Sequence, residues 1–325
     1  MFVCWTDSNH SLIRDMKIGR RAFLGIGLAT VGLPRVTYAG KVRKNECLSV
    51  FVSDIHLGTN GLKTAWGVEP TYQNVTFDGV VTKILGMNPR PAHVIVFGDL
   101  SVWFGYKSDY EAGLPCIRRL EQAGIDVVVT AGNHDHRTPL LECYPKQKKT
   151  PVKDRLVSVV DLGTADLILL DTLSENLKGN NWAGGAIDDV QWNWFVSEVA
   201  SRKRPFFVGS HHPPTDLGGR DVRKLLTSNK NFVGWIHGHE HVWSKRWFLE
   251  NWQLKRYCRV VGLPSLVNDD IGFAVMQTHK DGAVLKLEQS DFVFPEPVKS
   301  GAKRPAIWDC VVSENQSQCC NFTYD

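Results

Sequence analysis

Five short apolar runs recur along the chain, and each stops at a polar motif. Leu48-Ser49-Val50-Phe51-Val52-Ser53 leads to Asp54-Ile55-His56, and His93-Val94-Ile95-Val96-Phe97 leads to Gly98-Asp99. Residues 125–130 lead to Gly132-Asn133-His134-Asp135, residues 205–209 to His211-His212, and residues 231–236 to Gly238-His239-Glu240-His241. Runs of this length, rich in β-branched and aromatic residues, predict buried strands. Between them the spacing predicts helices over 77–87, 108–123 and 188–202, the last opened by Asp188 and Asp189 and carrying Trp192, Phe195 and Val199 at helical intervals. A further strand is predicted over 167–171. After Gly262-Leu263-Pro264-Ser265 the pattern shifts to two short strands, 273–277 and 283–288, joined through Lys280-Asp281-Gly282, and Asp-Gly between such runs signals a hairpin. Strands alternating with helices indicate an α/β fold, and the 286 residues after Ala39 suit one large domain, placed at 40–300. Nothing repeats internally. The chain beyond Pro295 looks loosely ordered, and 301–325 is expected to be a tail.

Ligands of open α/β sheets bind beyond the carboxyl ends of the strands, so five polar motifs in that position predict one crevice. Two cations side by side need a shared carboxylate and about three further oxygen or nitrogen donors each. Asp54, His56, Asp99, Asn133, His211, His239 and His241 form such a set, more than one ion could use. Gly98 and Gly132 stand directly before candidate ligands, where a backbone without Cβ can turn sharply. A strand end projects neighbours to opposite sides, which assigns ligation to His211 and leaves His212 to packing or to the substrate. Asp135 is expected to hydrogen-bond locally. Ser101, Trp103 and Phe104 could line a substrate mouth, but apolar residues after a strand are assigned to the core, as are Trp182 and Trp243.

In their order and spacing these motifs resemble those of the calcineurin-like metallophosphoesterases, from Asp54 to His241. The resemblance implies a four-layer α/β/β/α sandwich of two mixed β-sheets flanked by helices. In it Gly184-Gly185-Ala186-Ile187 would be the usual lead-in to a helix and the late hairpin would close a sheet. It also implies two divalent or mixed-valence metal ions, with Fe, Mn, Zn and Ni not distinguished by these donors. One ion would be held by Asp54, His56, Asp99 and His241, the other by Asp99, Asn133, His211 and His239, with Asp99 shared. His134 would face the scissile phosphate, alongside Asn133.

Departures narrow the choice within the family. Purple acid phosphatases carry a tyrosine three residues after the shared aspartate and a glycine where His56 stands, whereas this chain has Val102 and His56. Ser/Thr protein phosphatases follow that aspartate with an Asp-Arg pair, and here Leu100-Ser101-Val102-Trp103 follows. Lipid A precursor pyrophosphatases have Arg at the His134 position. The sequences around Asp54, Asn133 and His211-His212-Pro213-Pro214 look most like the bacterial cyclic-nucleotide phosphodiesterase branch, which is catalytically broad. The implied reaction is hydrolysis of a phosphodiester or phosphomonoester, on a small phosphate-ester substrate, by hydroxide made between the two ions. His134 would serve as proton donor, charge stabiliser or positional contact. The competing class is a non-catalytic metal-binding scaffold of the same fold; such scaffolds lose ligands, and here all seven positions are filled.

The amino terminus alters the charge picture. Met16-Lys17-Ile18-Gly19-Arg20-Arg21-Ala22-Phe23-Leu24-Gly25, an apolar stretch to Leu33 and small residues at 37–39 resemble a twin-arginine export signal. Its apolar part, about twelve residues, is shorter than the ~20 needed to span a bilayer. Residues 1–39 are thus expected to be an export leader with its true start at Met16, engaging export machinery and sending the protein to the periplasm. An uncleaved leader acting as a membrane anchor is the alternative. With five basic and two acidic residues in that segment, the +4 of the whole chain leaves only +1 for the rest. Bulk charge therefore gives no support for nucleic-acid binding. The Lys146-Gln147-Lys148-Lys149 run is expected to be a solvated loop. Seven cysteines follow the leader, an odd number with no zinc spacing. A periplasmic setting would permit a link among Cys310, Cys319 and Cys320 that fastens the tail.

Overall fold

Alternation along the strands sorts the apolar residues into three separate cores. The structure, a computed structural model, describes residues 46–58, 70–176, 183–251, 256–267, 272–289 and 319–324. In β1 (Cys47–Val52), β2 (His93–Phe97) and β3 (Asp126–Thr130), residues Val50, Val52, Val94, Val96, Val127 and Val129 face a helical layer. Their neighbours Phe51, Ile95, Phe97 and Val128 face the opposite way. Successive side chains point to opposite faces of a sheet, so a strand covered on both faces shows an unbroken apolar run. The second sheet repeats this. Its β5 (Asp166–Leu169), β6 (Phe206–Ser210) and β7 (Phe232–His237) turn Leu167, Leu169, Phe207 and Ile236 toward the first sheet, and Ile168, Phe206, Val208 and Trp235 away from it.

Helices close both outer faces. On the first sheet lie α1 (Pro70–Leu85), α2 (Lys107–Gln122) and α3 (Arg137–Cys143), contributing Phe77, Ile84, Tyr110, Ile117 and Leu140. On the second lie α4 (Asp189–Ser201) and α5 (Arg223–Thr227), contributing Phe195, Val199 and Leu226. The Asp188 side chain accepts from the Gln191 backbone N–H at 2.8 Å and caps α4, as the acidic opening predicts. The result is the expected α/β/β/α sandwich.

Six more strands complete the two sheets: β4 (Ser158–Asp161), β8 (Ser244–Asn251) and β9 (Arg256–Gly262) in the second, and in the first the hairpin pair β10 (Gly272–His279) and β11 (Gly282–Gln289), joined by β12 (Cys319–Thr323). The first sheet runs β12-β11-β10-β1-β2-β3 and the second β4-β5-β6-β7-β9-β8. Parallel pairing of β1 with β2 and β2 with β3 aligns three carboxyl ends, and parallel pairing of β6 with β7 aligns two more. Both sheets are mixed, because β10 pairs antiparallel with β1 and β4 antiparallel with β5.

The carboxyl-terminal segment departs from expectation. Within the stretch expected to be loose, β12 pairs antiparallel with β11 and buries Cys320 and Phe322 between the sheets. The Phe322 ring meets Phe207 edge-on, with centroids 5.0 Å apart. Phe322→Ala is therefore expected to cost about 3 kcal/mol of unfolding free energy in a urea titration; a loss under about 1 kcal/mol would show that this strand does not support the inter-sheet core. Cys47, Cys116, Cys143 and Cys320 are free thiols. The leader, Cys310 and Trp182 lie outside the described residues. Among the described residues no helix is long and apolar enough to cross a membrane.

Candidate metal centre

Each candidate ligand sits in the turn that follows a strand, and those turns force unusual backbone. Among the described residues six non-glycine positions have positive φ, and five of them are Asp54, His56, Asp99, His239 and His241. Such conformations cost about 1–2 kcal/mol each for a residue bearing Cβ, so they persist only where neighbouring structure dictates them. Here the turns brace one another. Asp54 N–H donates to Gly98 C=O at 3.2 Å and His56 N–H to Asp99 C=O at 2.9 Å. Across the sheets, His239 N–H donates to Asp54 Oδ2 at 3.1 Å.

The turns bring all seven candidate donors into two adjoining clusters. In one, donor atoms of Asp54, His56, Asp99 and His241 lie within 4.8 Å of one another, all four residues buried. His241 Nε2 stands 3.1 Å from Asp54 Oδ1 and 3.3 Å from His56 Nε2. In the other, Asn133 Oδ1 is 3.1 Å from His211 Nε2 and 2.9 Å from His239 Nδ1. Asp99 joins the two, its Oδ2 lying 3.3 Å from His211 Nε2 and 3.9 Å from His56 Nε2. His211 donates from Nδ1 to the Phe97 carbonyl at 2.8 Å, which turns Nε2 inward.

Protonation states suit a cation. Burial, then the neighbouring His134, lowers His56 to about 3, and burial with His211 lowers His239 to about 4, so both imidazoles are uncharged near neutral pH. Burial alone would raise the carboxyls. His241 outweighs it at Asp54, and His211 with His134 outweighs it at Asp99, holding both acids below the usual carboxylate range. Burial also lowers His211, yet Asp99 overrides this and pushes it up to about 9. A cation taken up beside Asp99 would replace that proton, so uptake would be accompanied by proton release. The decisive observation is Asp54 Oδ1. It is buried with no hydrogen-bond donor in good geometry, and its nearest polar neighbour is the ligand His241 Nε2 at 3.1 Å. A buried carboxylate oxygen without a donor is costly, and a metal ion satisfies it. The donor set of carboxylate, amide oxygen and imidazole fits divalent first-row ions.

The sequence model of the calcineurin-like phosphoesterases matches residues 49–243, more than half of the chain and every one of the five motifs. The chain belongs to the calcineurin-like phosphoesterase family. Among solved structures, a dimetal phosphatase from Danio rerio matches with a TM-score of 0.61 at 14% identity, over 86% of this chain and 99% of that one. A purple acid phosphatase from yellow lupin matches with a TM-score of 0.53 at 13% identity, over 78% of this chain and 53% of that one. At such identities the shared property is the fold. No curated protein matches the sequence. Family membership makes this phosphoesterase a hydrolase that uses divalent metal ions, and the Asp and His cluster is where this chain could hold them.

One expectation about this phosphoesterase narrows and another changes. His212, offered to packing or substrate, is wholly buried. It accepts from Thr172 Oγ1 at Nδ1, 2.8 Å away, and donates from Nε2 to the Ala183 carbonyl at 3.1 Å. Although it lies within 4.8 Å of His211 and His239, both its ring nitrogens are taken, so it buttresses rather than ligates or touches substrate. Burial, then His211, keeps it uncharged. Trp103 and Phe104, assigned to the core, belong to none of the three cores and are only partly buried, whereas Trp243 is buried between the sheets as expected.

The supports of the ligands were harder to foresee. Asp135 does more than bond locally: its carboxylate accepts from Gly132 N–H at 2.9 Å, Ser101 N–H at 3.1 Å and Tyr110 Oη at 3.2 Å, tying the Asp99 and Asn133 turns together. Burial and the nearby Asp99 charge push its carboxyl up to about 7 against these donors. Ser53 Oγ donates to Asp54 Oδ2 at 2.5 Å. Gly132 leaves room for the shared ligand, since a Cβ there would stand 2.2 Å from Asp99 Oδ1 and 2.6 Å from Asp99 N. Gly132→Ala is expected to displace Asp99 and weaken binding of metal at least about tenfold, read by metal titration; unchanged affinity would mean that the two turns can separate freely.

Proposed function

We propose that this phosphoesterase hydrolyses phosphodiester or phosphomonoester bonds at a two-ion centre. Asp54, His56 and His241 would hold one ion, Asn133, His211 and His239 the other, and Asp99 both. The arrangement that carries this reading is the pair of clusters joined through Asp99, with the His134 ring at their open side. His134 Nε2 lies 3.9 Å from Asp99 Oδ2, and its side chain keeps 16% of its surface exposed while the ligands His56 and His211 are closed off. When bound, two divalent ions supply an activated water near neutral pH and neutralise phosphate charge. The protein's own residues do the rest: Asp99 and Asn133 fix where the phosphate can sit, and His134 gives a proton to the departing oxygen or steadies its charge, help typically worth about 10²–10⁴ in rate. The motifs around Asp54, Asn133 and His211 support a place near the bacterial cyclic-nucleotide phosphodiesterases. The paired arginines and apolar stretch of residues 1–39 support export to the periplasm from a start at Met16.

Metal removal tests this. Stripping with a chelator is expected to abolish hydrolysis of bis(4-nitrophenyl) phosphate and 4-nitrophenyl phosphate, and reloading with Mn, Fe, Zn or Ni to restore it at two ions per chain. Full loading without turnover of either ester would favour the non-catalytic scaffold. For export, sequencing the amino terminus of protein recovered from the periplasm should find a start just after Ala39; a retained Met1 or Phe2 would refute the leader.

A further inference from the structure

A row of aromatic rings leads outward from His134, and it belongs to none of the three cores. Trp103 lies with its ring centroid 5.2 Å from that of His134. Phe104 stacks on Trp103 at 6.2 Å with 30° between planes, and Tyr106 follows at 5.6 Å. Tyr106 is 48% exposed, one of only three large apolar side chains exposed among the described residues. Rings left partly in water beside a reactive centre provide a surface that a ligand can cover.

The row is held rigidly on the same frame as His134. Ser101 Oγ donates to the buried Asp109 carboxylate at 2.6 Å and accepts from the backbone N–H of Gly105 at 2.9 Å. Gly105 has φ +60°, and a Cβ there would stand 2.5 Å from His136 N, so this loop rests directly on the backbone just past His134. Tyr110 Oη accepts from His136 N–H at 2.9 Å and closes the frame. Rigid aromatic contacts cost little ordering on binding.

We propose that Trp103, Phe104 and Tyr106 seat the base of a nucleoside phosphate ester whose phosphate lies at the metal centre. The proposal rests on the hydrolytic reading of that centre for the position of the phosphate. A ring bonded directly to the phosphate oxygen would meet Trp103 alone. A row extending outward for three rings suits a planar group set off from phosphorus by a spacer of sugar length. Stacking tolerates any base and needs no hydrogen-bond readout, in keeping with a ledge made of rings.

Two esters with one leaving group test it on the metal-loaded full chain: the thymidine 5′ ester of 4-nitrophenyl phosphate and methyl 4-nitrophenyl phosphate. The thymidine ester is expected to show a kcat/KM about 5- to 100-fold higher, the effect of one stacked base. Trp103→Ala and Phe104→Ala should each bring that ratio toward one, and Trp103→Tyr should keep most of it. Equal kcat/KM for the two esters in the unaltered protein, or a ratio unmoved in both alanine variants, overturns the proposal. Should neither ester turn over, diester hydrolysis fails separately, 4-nitrophenyl phosphate tests the monoester half of the hydrolytic reading, and calorimetry still decides the ledge. Thymidine 5′-phosphate binding more tightly than ribose 5-phosphate, with the difference lost in Trp103→Ala, supports it, and equal affinities overturn it.

Discussion

Replacing Asp99 by Asn is expected to lower kcat/KM by about 10³-fold or more and to reduce bound metal below two ions per chain, with the fold retained. Asparagine has the same shape, so the buried site is neither emptied nor overfilled. Its amide oxygen can still accept from His134 N–H, the bond Asp99 Oδ1 makes at 2.8 Å, and the turn at Asn133 stays tied to the turn at Asp99. What disappears is the charge. Asp99 Oδ2 lies 3.3 Å from His211 Nε2 and 3.9 Å from both His56 Nε2 and His134 Nε2, and among the described residues no other carboxylate oxygen stands between the clusters in this way. Asp54 Oδ1 lies on the His241 side, 3.1 Å from Nε2, and its Oδ2 is taken by Ser53 Oγ and the His239 N–H. Metal analysis, thermal melting and hydrolysis of bis(4-nitrophenyl) phosphate together decide the matter. A variant that melts normally, holds two ions and turns over near the native rate sinks the shared-ligand reading.

The centre was legible in the sequence because of the strands that carry it. β1, β2, β3, β6 and β7 are covered on both faces, so they stand out as continuous apolar runs, and a polar residue at the end of such a run is conspicuous. The layers follow from the same alternation, as Val50 and Val52 against Phe51 show. Strands toward the outer ends of the sheets do not announce themselves in this way. β8 carries Lys245, Arg246 and Glu250 among its apolar residues, and β9 carries Arg256 and Arg259, so neither yields a clean run. β12 is only five residues long and follows a long polar stretch; its alternation, with Cys320 and Phe322 inward, is too brief to separate from chance.

Contacts between distant residues were the other limit. His212 is defined by Thr172 and Ala183, 40 and 29 residues away, and no local pattern links them. Trp103 and Phe104 follow a buried strand, which argues for core, but the turn through Gly105 carries them around to His134. The positive φ of five ligand residues was likewise hidden, since three of them, Asp54, His56 and His241, have no glycine beside them to mark such a turn.

His134→Ala is expected to leave both ions bound and to lower kcat by about 10²–10⁴ for esters with alkyl leaving groups. The prediction separates binding from chemistry because His134 contributes to the frame through its backbone, not its ring. Its N–H anchors Asp99 and remains in the variant. The ring lies edge-on to His56 at 5.0 Å, tilted against Trp103 at 5.2 Å and with Nε2 3.9 Å from Asp99 Oδ2, and its side chain keeps 16% of its surface exposed. Removing it should therefore spare metal content and melting temperature. The leaving group then tells proton donation from orientation. 4-Nitrophenolate departs readily without a proton, so if His134 acts as an acid its loss should cost far less for 4-nitrophenyl esters than for alkyl esters of the same phosphate. Equal losses for both would assign His134 to holding the phosphate in place, and no loss with either would remove it from the reaction, leaving Asp99 and the six other donors to account for turnover.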